Sequence, residues 1–171
     1  LARFFKQQGR RVTLARGLER CGSAREIYAS CIFSSSISAG KVRELQNFYS
    51  DSLQLGGSGV NIQKRLPEEI EALPPDYDLY PELADRAIGF LTRGCPLHCP
   101  FCIVPVKEGP PRQVSDLQSL MENGRRRKLI LLDDNFLSLP NADELLDEMA
   151  ARKIMVNFTQ SLDLRFVDRE R

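Results

Sequence analysis

Strands alternating with helices predict an α/β protein, an incomplete doubly wound layer followed by a second run of βα units. Three observations carry this expectation. Short aliphatic or β-branched runs alternate with helical patterns along most of the chain. Glycines follow strand-like segments at Gly56-Gly57 and Gly94. Between the two regions, Pro67, Pro74, Pro75 and Pro81 break the rhythm among acidic residues and two tyrosines.

In chain order, an opening helix ends at Gly9, and Arg11 to Ala15 reads as a strand. Glu26 to Phe33 is a second strand, then Ser34-Ser35-Ser36 leads to a helix from Ala39 to Tyr49. Leu53 to Leu55 runs into Gly56-Gly57-Ser58-Gly59 and completes a first layer over residues 1–60. Residues 61–85 read as a linker with a short helix over Glu68 to Ala72, Pro67 suiting its first turn. In residues 86–171 the rhythm resumes. Arg86 to Arg93 is a strand, and Cys95 to Gly109 a long loop. Ser115-Asp116-Leu117-Gln118 is a capping box, which satisfies exposed backbone donors at a helix start. Lys128 to Asp133 is the next strand, Asn141-Ala142-Asp143-Glu144 opens a helix to Arg152, and Ile154 to Thr159 is the last strand.

The 171 residues (19.4 kDa) carry 24 Lys and Arg against 23 Asp and Glu, with 42% hydrophobic residues. Disorder goes with low hydrophobicity and high net charge, so it is excluded for most of the chain. The longest aliphatic run, Leu129 to Leu132, is far short of the ~20 residues of a membrane helix. The polar N-terminus has no secretory pattern, and the expectation is a cytoplasmic protein without membrane contact. A formal charge of +1 argues against an extended nucleic-acid footprint, which depends on surplus Lys and Arg. The basic run Arg125-Arg126-Arg127-Lys128 reads as a solvated loop, the alternative being a phosphate contact of an RNA-modifying enzyme. The chain begins at Leu1 within a helical pattern, and residues 86–171 hold only about three βα units of ~30 residues. A fragment of a longer protein is expected, with Ile154 to Thr159 an open edge that favours association.

Close cysteine spacing in such a protein points to metal or redox chemistry before a disulfide framework. Cys21 and Cys31 are isolated and read as ordinary thiols. Cys95, Cys99 and Cys102 form C-x3-C-x2-C in the loop after a strand, stiffened by Pro96 and Pro100. Three thiolates on one loop suit three corners of a cubane iron-sulfur cluster and leave the fourth iron open. Structural zinc takes four ligands, and His98 sits too close in sequence to Cys99 to turn onto the same metal easily. A non-catalytic module with zinc or an electron-transfer cluster is the alternative.

Cys95-Pro96-Leu97-His98-Cys99-Pro100-Phe101-Cys102 resembles the signature of the radical S-adenosylmethionine superfamily. The resemblance implies a partial (βα) barrel, with a 4Fe-4S cluster held by Cys95, Cys99 and Cys102. It also implies that S-adenosylmethionine on the open iron is cleaved to a 5'-deoxyadenosyl radical acting on an unidentified substrate. An electron donor such as flavodoxin or ferredoxin follows from it. Carried over by position, Phe101 lines the adenosine site and Asp133, Asp134 and Asn135 contact the cofactor, with Gln160 a weaker candidate. A plain strand-end turn is the other reading of Asp133 to Asn135. Residues 1–60 resemble the cobalamin-binding domain preceding the barrel in one branch of the superfamily. That makes cobalamin a further candidate cofactor, although residues 1–97 contain no histidine to ligate cobalt.

Overall fold

The computed structural model describes residues 1–16, 21, 24–160 and 162–167. They divide into two compact units, one of residues 1–11 with 69–171 and one of residues 12–68. The opening helix therefore groups with the C-terminal unit, and not with the layer in which the sequence reading set it.

In the unit of residues 12–68, β1 (Ile27–Ser30) pairs in parallel with β2 (Leu53–Gly56), in register from Ile27 with Leu53 to Ser30 with Gly56. The crossover is α2 (Ser36–Tyr49). It starts three residues earlier than its apolar pattern suggests because Ser35 caps it, its hydroxyl accepting from Ser38 N at 3.1 Å. The strand expected over Arg11 to Ala15 does not form; these residues join no ladder. Alternating side chains are not enough without a partner for the backbone groups.

The larger unit begins with α1 (Ala2–Gln7). Arg3 donates to the carbonyls of Pro74 and Pro75, and Lys6 lies 2.8 Å from Asp76. The proline-rich stretch is packed, not merely connecting. Within it lie α3 (Glu68–Glu71) and the buried Ile70, Asp76 and Tyr77. Tyr77 Oη accepts from Ile88 N at 3.1 Å and lies within donating distance of Leu120 O at 3.2 Å.

A parallel sheet of order β3 (Arg86–Gly89), β6 (Lys128–Leu131), β7 (Met155–Phe158) forms the centre of this unit. The single strand expected over Arg86 to Arg93 is broken after Gly89. Asp133 takes the amides of Leu91 and Thr92, and β4 (Thr92–Arg93) turns away to pair antiparallel with β5 (Arg112–Gln113). The core comprises Ala87, Leu91, Leu129, Leu131 and Phe136 with Leu117, Leu120 and Met121 around α5 (Leu117–Leu120). Ala142, Leu145 and Met149 add the inner stripe of α6 (Ala142–Ala151).

Both capping boxes differ in detail. Asp116, not Ser115, caps α5, its carboxylate accepting from Ser119 N at 2.7 Å. Asn141 precedes α6 without a side-chain cap, because its amide donates to Gln113 Oε1 at 3.2 Å. The two parallel sheets are what the structure shows of the expected doubly wound layer and barrel; three strands by themselves define no barrel.

Candidate functional site

The carboxyl edge of β3 and β6 is stitched together by three consecutive side chains. Asp133 accepts from Leu91 N at 3.0 Å, Thr92 N at 2.9 Å and Thr92 Oγ1 at 2.8 Å. Asp134 Oδ2 accepts from Gly94 N at 2.9 Å, and Asn135 Nδ2 donates to Cys95 Sγ at 3.5 Å. The order along one strand end thus matches the order along the loop it holds. Burial pushes the Asp133 carboxyl up to about 6, against the opposing pull of its hydrogen bonds, and the charge of Asp134 raises it further. With both oxygens engaged, Asp133 is a clip for the loop. Asn135 is only 3% exposed, and its Oδ1 is buried with no hydrogen-bond partner. An unmatched buried acceptor carries a cost that a ligand donor would remove.

The cysteine loop is closed at its neck. Cys95 N donates to Gly109 O at 3.2 Å, and Gly94 has φ +91 where a Cβ would lie 2.2 Å from Pro110 O. Only glycine permits this approach without strain. Beside the neck, the Glu108 side chain, 3% exposed, meets Arg93 at 3.1 Å, Lys107 at 3.4 Å and Arg112 at 3.8 Å. Within the loop, Cys102 N donates to Cys99 O at 3.0 Å, and α4 (Val104–Lys107) follows. Phe101, at the corner of that turn, is 92% exposed. Arg165 is paired with Asp163, whose hydrogen bonds and charge raise its already high pKa.

The structure thus brings Asp133, Asp134, Asn135 and Cys95 together. Cys95, Cys99 and Cys102 are free, half-buried thiols. Among the described residues, no group of three or more His, Cys, Asp or Glu is arranged to hold a metal ion. The three sulfurs as placed do not fit a cluster. Gln160 is exposed just past β7. Sequence reasoning missed Glu108 and its cations because their spacing follows no motif; a lone acid amid Arg93, Lys107 and Arg112 was the available signal.

Two cations of the basic run, Arg126 and Lys128, are engaged by the fold. Arg126 donates to Glu122 at 2.9 Å and to the carbonyls of Ala84 and Arg86 at 2.8 Å, and stacks 3.7 Å from the Tyr77 ring centroid. Lys128 lies 3.3 Å from Asp85. Arg125 and Arg127 are exposed, so the fold engages two of the four cations. No helix among the described residues is long and apolar enough to cross a membrane.

No family model matches the chain, and no solved structure matches it. Over 111 residues it is 30% identical to an uncharacterized methyltransferase of Synechocystis sp., covering 59% of this chain. The chain spans about a fifth (21%) of the length of that relative. These comparisons correct the superfamily assignment. The similarity is to a protein named as a methyltransferase, and no radical S-adenosylmethionine family model matches. Reductive cleavage to a 5'-deoxyadenosyl radical, the non-catalytic metal module and the flavodoxin or ferredoxin donor are accordingly set aside. Neither the 4Fe-4S cluster nor cobalamin gains support from these matches.

Proposed function

We propose that this chain is part of a methyltransferase that uses S-adenosylmethionine, bound at the carboxyl edge of β3, β6 and β7. The similarity to a methyltransferase supports the class. Ligands of open parallel sheets bind outside the carboxyl ends of the strands, which supports the place. The observation that carries the reading is the buried, unpartnered Oδ1 of Asn135 at that edge. An α-ammonium group is a pure donor and would satisfy it. Asp134, beside it, has one oxygen on Gly94 and adds negative charge for the same group. Asp133 keeps the loop closed over the site, and Phe101 offers an exposed apolar face for the adenine.

When bound, S-adenosylmethionine would supply a sulfonium methyl for a nucleophile of the substrate, with the demethylated thioether as leaving group. The residues named here bind and orient; fixing both reactants in line accounts for much of the acceleration of such a transfer. No step of the transfer is assigned to Cys95, Cys99 or Cys102.

Titration calorimetry tests the reading. S-adenosylmethionine and its demethylated product should bind the chain, and Asn135→Ala should weaken both about tenfold, the loss of one buried hydrogen bond to a charged group. Equal affinity in the variant, or no binding by the wild-type chain, would remove the proposal.

A further inference from the structure

Cys99 and Cys102 occupy the two ends of a β-turn. Cys102 N donates to Cys99 O at 3.0 Å, with Pro100 and Phe101 as the corner residues. Proline at the first corner presets the backbone for such a turn. A turn of this type holds its end Cα atoms within about 7 Å, close to the span that a disulfide bridges. Both thiols are free and half-buried, and the 92% exposure of Phe101 shows that the turn projects into solvent. Cys95 is restrained elsewhere: its amide is on Gly109, its sulfur receives Asn135, and its neighbour Gly94 is on Asp134. The loop thus separates a paired set of thiols from a third that is tied to the sheet edge.

We propose that Cys99 and Cys102 form a reversible dithiol-disulfide site that exchanges with small-molecule disulfides of the glutathione type. One thiolate of the pair attacks a sulfur of the small disulfide, whose S–S bond breaks as one small thiol departs. The second cysteine then attacks the protein sulfur of the mixed disulfide, forming the Cys99–Cys102 bond and releasing the second small thiol. The protein loses two electrons and two protons, and the small disulfide gains both. The site does not depend on the methyl-transfer reading, because it uses neither Asn135 nor the sheet edge as a ligand.

The intact chain, stripped of metal with a chelator, is equilibrated anaerobically with oxidised and reduced glutathione, and its thiols are counted after denaturation. The five cysteine thiols should fall to three as the oxidised form rises, and return with a dithiol reductant. Peptide mass spectrometry should place the bond between Cys99 and Cys102. Cys102→Ser should instead retain one glutathione on Cys99, and Cys99→Ser one on Cys102, so either variant serves if the other does not fold. Pro100→Gly should shift the exchange midpoint toward the dithiol by about threefold through a looser turn. A bond involving Cys95, stable glutathione on both sulfurs of the wild type, an unshifted midpoint in Pro100→Gly, or no exchange would each overturn the proposal.

Discussion

The β1–β2 pair and the β3–β6–β7 sheet use the same local grammar and reach different ends. Each is parallel, and beyond each a glycine at positive φ is pressed on a carbonyl: Gly57 directly after β2, whose Cβ would lie 2.3 Å from Cys31 O, and Gly94 after β4, against Pro110 and held by Asp134. Yet none of the described residues from 12 to 68 is buried, whereas Leu91, Leu129, Leu131 and Phe136 are almost wholly enclosed. The three-stranded sheet has α5, α6 and Tyr77 contributing to its core. Against α2, the smaller sheet keeps an apolar groove of about 590 Å³ lined by Ala29, Phe33, Val42, Leu45 and Leu55 among others. Strand pairing comes from backbone pattern, but a dry interior depends on how many layers cover it.

Substitutions that act on one sheet and spare the other test this contrast. The largest effect is expected at Phe136, whose ring packs 5.3 Å from that of Phe158. Phe136→Ala should lower unfolding free energy by about 3–5 kcal/mol in urea titrations, while Val42→Ala in the half-buried groove should cost under about 1 kcal/mol. Next comes pH. Asp133 binds its proton more tightly folded, near 6, than at its ordinary 3.8, so its contribution is greatest below 3.8 and is lost as pH rises through about 6. The difference between wild type and Asp133→Asn in stability against pH should therefore change by about 3 kcal/mol across that window and be flat above it.

Glu108→Gln should cost about 2 kcal/mol, because it leaves Arg93, Lys107 and Arg112 around a neutral group, and limited proteolysis should then cut the cysteine loop faster. The smallest effect is a gain. Gly40, inside α2 with nothing within 4 Å of a Cβ, should accept Ala with about 0.5–1 kcal/mol more helix stability, read by hydrogen exchange in that helix.

Most elements were legible because their side-chain period and punctuation are local. The aliphatic run from Leu129 follows Lys128 and forms β6, and Leu145 and Met149 lie on one stripe of α6. What escaped was set by distant groups. Nothing near Leu91 announces that an aspartate some forty positions later will claim its amide and end a strand. Tyr77 lies among prolines and acids that read as a connector, but Ile88 and Leu120 give its hydroxyl buried partners. At the site, the grouping of Asp133 to Asn135 at a strand end could be read from their place after an aliphatic run. Their division of labour could not, since it depends on which loop amide each one meets.

The clip at Asp133 to Asn135 also sets a schedule for synthesis. Its contacts link residues 40 to 42 positions apart, so the thiols leave the ribosome well before the side chains that fasten their loop. At the usual 5–20 residues per second that interval is roughly two to eight seconds. For that time the nascent segment is an untethered ribbon of sulfhydryls, open to capture by whatever soft electrophile or oxidant the translating cell contains.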